Sequence, residues 1–237
     1  MTWELNKQVL EVRYLKAPLF WDIAGKLTLE IRDRFPDFEV ESAVPEVVKL
    51  NGKEKPVSLA YGLDRINLNC IFTHTAQNYL MDVCSHVFPF ILKALKVSTL
   101  TRIGHRLFYE LQADNTEDAK RLIHEIARAC RLGADFFSSI DDARLREKTA
   151  EEILLRFSDE KTGIMCSLKP TITAFNVEGP EFLRPQLPKP KYAVTFDVDV
   201  YTIPAISTEL FMPEDLIKSN IKMIETRILP NLRRSNV

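Results

Sequence analysis

The sequence predicts an α+β protein whose first half is a ferredoxin-like βαββαβ unit. Three observations carry that prediction: two stretches with apolar residues at helical spacing, strand-type runs on either side of each, and an Asn-Gly turn between the middle runs. Residues 9–15 form a β-type run that breaks at Ala17-Pro18. Phe20, Ile23, Ala24, Leu27 and Ile31 then recur at the spacing of one helical face, and the helix closes near Phe35-Pro36. Residues 38–50 read as a strand, and Asn51-Gly52 is a strong hairpin signal because both positions tolerate positive φ. The returning strand is expected over 57–72, with Ile66, Leu68, Cys70 and Phe72 on one face. A second helix follows over 77–97, with Leu80, Val83, Cys84, Val87, Ile91 and Leu95 inward, and Pro89 is expected to kink or divide it. Residues 99–111 complete the unit as a strand, with both helices stacked on one face of the antiparallel sheet.

The second half reads as a β-meander with a closing helix. Asn115 or Thr116 caps a third helix whose Ala119, Leu122, Ile123, Ile126, Ala127 and Cys130 form a stripe ended by Gly133. Residues 153–157 and 164–177 flank a turn at 159–163 and read as a hairpin, and 192–203 alternates strictly. Pro213 opens a last helix that buries Leu216, Ile217, Ile221, Ile224 and Ile228 and stops at Pro230. The expected organisation is a βαββαβ unit at 1–113, a helical connection at 114–150, and the meander with its C-terminal helix at 151–237, sharing a core with the first half.

Composition narrows the function classes. Lys+Arg (32) and Asp+Glu (33) nearly cancel, so no overall field draws the chain to a polyanion or a membrane surface. The most apolar stretch, Val83 to Leu95, is interrupted by His86, Pro89 and Lys93 and is too short to span a bilayer. No signal-peptide pattern opens the chain, and Cys70, Cys84, Cys130 and Cys166 lie far apart inside apolar patterns, as buried thiols in a reducing compartment do. A cytoplasmic location is expected. The seven glycines are never clustered as phosphate-cradling loops need, so Walker-type and Rossmann-type nucleotide sites are excluded. No G-x-S-x-G elbow, C-x-x-C pair or H-E-x-x-H helix occurs. No cofactor is expected.

The candidate chemistry lies on the sheet face turned away from the helices. Period-two alternation puts Glu11 and Arg13, Glu39 and Glu41, Asn67 and Asn69, and Arg102 and Arg106 on that side. Arginine forks bind carboxylates or phosphates and asparagines add neutral donors and acceptors, so Arg13, Asn67, Asn69, Arg102 and Arg106 form a candidate site for an anionic small molecule. The competing explanation is a set of cross-strand ion pairs, which mimic sites of this kind. Nucleic acid is disfavoured, because base stacking needs aromatic platforms and only Phe108 falls on the proposed face. Asp197 and Asp199 share one side of a strand and are a candidate pair of metal ligands without a visible third, set against ordinary solvent-facing aspartates. His105 alternates into an apolar face and is expected to be a hydrogen-bonded core residue. Phe182, Leu183 and Leu187, among the prolines of the 179–191 connector, are candidate partner contacts.

Four short segments carry a resemblance: residues 9–14 (VLEVRY), Phe35-Pro36, residues 101–106 (TRIGHR) and residues 196–201 (FDVDVY) before the final helix. In these the chain resembles a sporadically distributed bacterial family of uncharacterised proteins of about this length. It departs from the family pattern at His105, where an apolar residue is usual, and at Leu107 and Phe108, where an aromatic and an asparagine often stand. The resemblance implies the length and architecture, no activity, and a setting in mobile or defence-type loci. With catalytic motifs absent, the chain is expected to be a non-enzymatic interaction or regulatory protein. A subunit of a bacterial complex, or a homodimer joined through a sheet edge, fits that expectation. The alternatives are an enzyme or sensor acting on an anionic small molecule at the arginine face, and a nucleic-acid-binding module.

Overall fold

Strand β1 (Glu4–Tyr14) leads into helix α1 (Leu19–Arg34), which buries Phe20, Leu27 and Ile31. In the computed structural model, which describes residues 2–71, 76–129, 152–173 and 191–232, four short strands follow: β2 (Phe38–Val44), β3 (Val47–Gly52), β4 (Val57–Gly62) and β5 (Arg65–Ile71). Then come α2 (Ala76–Ala94), β6 (Thr99–Ala113), α3 (Thr116–Ala129), β7 (Ile153–Ser158), β8 (Thr162–Thr173) and β9 (Lys191–Thr202). A two-residue strand β10 (Ile206–Ser207), helix α4 (Pro213–Met223), a π-helical turn (Ile224–Ile228) and a short α5 (Leu229–Leu232) close the described chain.

Among the described residues, ten strands form one antiparallel sheet in the order β2-β3-β4-β5-β1-β6-β9-β8-β7, with β10 on the end of β6. The α+β class is therefore plain, in a sheet longer than the four strands expected of the first half. Each of the two long predicted strands folds into a hairpin. The first turns at Pro45-Glu46 between β2 and β3, and the second at Leu63-Asp64 between β4 and β5. Backbone approach explains why both turns form at one end: a Cβ on Gly62 would lie 2.2 Å from the Glu46 carbonyl oxygen, and Leu63 N–H donates to that oxygen at 3.0 Å. Only glycine admits this contact. At the other end the Asn51-Gly52 signal marks the β3–β4 connection, whose loop is held by Asp37 accepting from the Glu54 and Lys55 amides.

Pairing of β6 with β9 joins the two halves of the chain in this sheet. The helices cover one face of it. Leu10, Val12, Leu59, Leu68 and Ile103 meet α1, α2 and α4, and Leu107, Val194, Phe196 and Val198 meet α3 and the π-helical turn. Each fully buried aliphatic or aromatic side chain here contributes on the order of 1.5–3 kcal/mol. Helix α2 continues through Pro89 as one element, so the division allowed for there does not occur, and Val83, Val87, Phe88 and Ile91 pack both of its halves on the sheet. Two further helical expectations need correction. The last helix does not stop at Pro230: the wider π turn precedes it and accommodates the ring, and α5 runs to Leu232. Leu216, Ile221 and Ile228 are only partly buried, because Asn220 takes a share of the inward stripe. The Asn115 cap is present, its side chain accepting from Asp118 N–H at 2.9 Å.

Candidate functional site on the open sheet face

Strand register assigns the side chains of the face away from the helices. One row runs Glu39, Asn51, Ser58, Asn69, Val9, Arg106, Asp199, Met165 and Arg156 from β2 to β7. The next runs Lys49, Ala60, Asn67, Glu11, Gly104, Tyr201, Gly163 and Ser158. Arg13, Asn67, Asn69, Arg102, Arg106, Asp197 and Asp199 all stand on this face, with Arg13 directly opposite Arg102. Residues 9–14, 101–106 and 196–201 lie in β1, β6 and β9, neighbouring strands at its centre.

The arginines are engaged by carboxylates of the chain itself. Arg102 donates to Glu11 Oε1 at 2.9 Å and to Asp199 Oδ2 at 2.7 Å, and Arg13 Nε donates to the same Glu11 oxygen at 2.7 Å. Arg106 forks onto Asp197 with hydrogen bonds of 2.7 and 2.5 Å, and that bidentate contact raises the Arg106 pKa above its ordinary value. The carboxylates lie low, with Glu11 17% and Asp199 13% exposed at the side chain, and the guanidinium groups arch over them. This is the cross-strand ion-pair arrangement. It leaves Asp197 and Asp199 each on a separate arginine, and among the described residues no cluster of three His, Cys, Asp or Glu side chains forms around them. The aromatic rings on the face are also covered by cations: Lys7 and Arg106 lie over Phe108, and Arg102 over Tyr201.

The free polar groups lie one strand further on. A hollow of about 370 Å³ opens over β3, β4, β5 and β1, floored by Val9 and Ala60. Asn51, Ser58, Asn67 and Asn69 supply neutral donors and acceptors around it, and Lys7, Lys49 and Glu41 supply charge. Neither lysine has a carboxylate within ion-pair distance among the described residues, in contrast to the arginines. Asn69 Nδ2 reaches Ser58 Oγ at 3.4 Å, and its Oδ1 is buried without a partner. Of the expected ligand residues, Asn67 and Asn69 belong to this hollow, and Arg13, Arg102 and Arg106 do not line it. Lys7, Lys49, Asn51 and Ser58 escaped the sequence reading because β3 and β4 were hidden inside two long strands and β1 begins earlier than the β-type run. The Pro45-Glu46 and Leu63-Asp64 turn signals, read first, would have put alternate residues on this face.

His105 is fully buried on the opposite, helix-covered face, between Gln8 and Asn220. Cys70, Cys84 and Cys166 are buried free thiols. Burial pushes the Cys70 and Cys166 thiols up to about 11, and Cys84 further. The partner-contact candidates Phe182, Leu183 and Leu187 lie outside the described residues, as does most of the 114–150 connection. No helix of the described residues is long and apolar enough to cross a membrane. Compared with known proteins, the chain matches no family profile and no curated protein.

Proposed function

We propose that this chain is a non-enzymatic interaction protein that receives an acidic partner surface on its open sheet face. One observation carries the reading: among the described residues, helices cover the ten-stranded sheet on one side only, and the other side presents side chains already ordered by ion pairs. Pre-ordered side chains lose less entropy on docking than free ones. Among the described residues no histidine or cysteine stands on that face to serve as base or nucleophile, which favours recognition over catalysis. The inner strands β4-β5-β1-β6 with α1 and α2 are, in this proposal, a ferredoxin-like core enlarged by the β2–β3 hairpin. Membership of the sporadically distributed bacterial family, a cytoplasmic setting and a place in a bacterial complex belong to the same proposal.

The test is affinity purification at native expression level with three chains. Wild type and a Lys26→Glu control on α1 are expected to retain the same partner, and an Arg156→Glu/Lys169→Glu variant of the open face is expected to lose it. Equal recovery with all three chains overturns the proposal.

Self-association is a second reading, and the β7 edge favours it. Leu154 is 66% and Phe157 57% exposed there, and an apolar hollow of about 300 Å³ lies beside the strand between Ile153, Leu155, Ile164 and Ile228. Unpaired strand edges with apolar side chains template pairing with a second copy. Light scattering decides: a dimer that becomes a monomer in Leu154→Lys/Phe157→Lys supports it, and a wild-type monomer ends it.

A further inference from the structure

We infer that the hollow over β3, β4, β5 and β1 is a binding site for a small hydroxylated anion, a sugar phosphate or a sugar acid. The inference rests on the open face being the functional surface and adds to it a ligand of defined chemistry. Charge decides the sign. Lys7, whose ammonium rests on the Phe108 ring, and Lys49 have no carboxylate partner among the described residues and stand at the hollow against the single carboxylate of Glu41, so an anion gains from entering. The arginines next door are already neutralised by Glu11, Asp197 and Asp199 and so do not compete for it.

The rest of the lining decides the class. Three carboxamides and a hydroxyl, on Asn51, Asn67, Asn69 and Ser58, are neutral groups that suit the alternating donors and acceptors of a polyol. Asn69 Oδ1 has no hydrogen-bond partner among the described residues, and a ligand with several hydroxyl donors suits it better than inorganic phosphate, whose dianion carries a single P–OH. Glu41 accepts from a second hydroxyl on the same logic. Ala60 and Val9 keep the floor low where a longer side chain would fill the space. The volume falls at the small end of ligand sites, matching a five- or six-carbon acid better than a nucleotide.

The experiment is thermal unfolding of the full chain with about 5 mM ribose 5-phosphate, glucose 6-phosphate, gluconate, glucose or inorganic phosphate at constant ionic strength, because a bound ligand raises the midpoint by mass action. A rise of several degrees with the sugar phosphates or with gluconate is expected, the two arms separating phosphate from carboxylate recognition. Glucose and inorganic phosphate are expected to give less than half that rise. Lys7→Gln/Lys49→Gln should weaken the best anion at least about tenfold, each lost ammonium removing a charge-assisted contact. Ala60→Trp should abolish the response by filling the floor. The lysine variant, which leaves the floor unchanged, keeps the test intact if Ala60→Trp fails to fold. No response to any anion, or an undiminished response in the lysine variant, overturns the inference. If a partner is still lost on reversing Arg156 and Lys169 while no anion binds, only the ligand site falls. If an anion binds while partner capture ignores those reversals, only the partner reading falls.

Discussion

Arg102 on β6 donates to Asp199 on β9 at 2.7 Å while its other terminal nitrogen holds Glu11 on β1, so one guanidinium ties three adjacent strands. With Arg102 itself 28% exposed, the tie lies between the surface pairs that contribute little and the buried ones whose breakage is costly. Replacing Arg102 by Leu leaves the low-lying Asp199 carboxylate without its hydrogen-bonded cation and Glu11 with Arg13 alone. A loss of about 1–3 kcal/mol in denaturant unfolding is expected. A double-mutant cycle with Arg102→Gln and Asp199→Asn should show coupling of about 1 kcal/mol, and additive effects would mean that the pair contributes nothing.

Tyr201 makes a second contact across the same strands. Its ring leans over Gly163 on β8, where an added Cβ would lie 2.2 Å from the ring, and Arg102 stacks on it with 5.1 Å from guanidinium carbon to centroid. Gly163→Ala therefore displaces the ring and the stack together. A loss of about 1–2 kcal/mol is expected, of which most should vanish in a Tyr201→Ala background where no ring remains to move. An equal penalty in both backgrounds would trace the effect to the strand backbone.

These two contacts show which parts of the face the sequence could reveal. Alternation alone puts Arg13, Arg102, Arg106, Asp197 and Asp199 on the side away from the helices, because a strand's period is two and the helical stripes fix which side is buried. Pairing between strands far apart in sequence is not contained in that rule. Nothing local states that β9 lies beside β6, so the capture of Arg106 by Asp197 was invisible, and the two aspartates looked like metal ligands for the same reason. The hidden hairpins had a different cause. Residues 38–50 are apolar enough to read as one strand, and the turn at Pro45-Glu46 depends on Gly62, sixteen residues later, letting a carbonyl approach its backbone. His105 was legible, since a lone imidazole in an apolar alternation must find partners or be absent from the core.

The buried thiols give a chemical check on the helix-covered face. Cys70, Cys84 and Cys166 have pKa values raised by burial, so the reactive thiolate is scarce near neutral pH as well as shielded. A Cys130→Ser chain is expected to leave its three remaining thiols unreactive towards a disulfide reagent at pH 8 and to release all three on unfolding. Rapid labelling of the folded chain would mean that the sheet opens on its helical side.

His105 supplies the pH dependence. Its Nε2 lies 3.2 Å from Gln8 Oε1 and its Nδ1 3.4 Å from the Asn220 amide nitrogen, so the neutral ring donates to one and accepts from the other. Burial lowers its pKa to about 3 from an ordinary 6.5. Between those values the unfolded chain binds a proton that the folded chain refuses, so stability is full above about pH 6.5 and falls as pH drops towards 3. At about 1.4 kcal/mol per pH unit the limiting loss is on the order of 4–5 kcal/mol, enough to unfold a domain of ordinary stability. His105→Gln keeps an amide between Gln8 and Asn220 and cannot titrate in this range. Its stability should be lower at neutral pH and decline less steeply on acidification, by about one proton in the slope of unfolding free energy against pH. Parallel slopes for wild type and His105→Gln would show that the imidazole is reached by protons in the folded state.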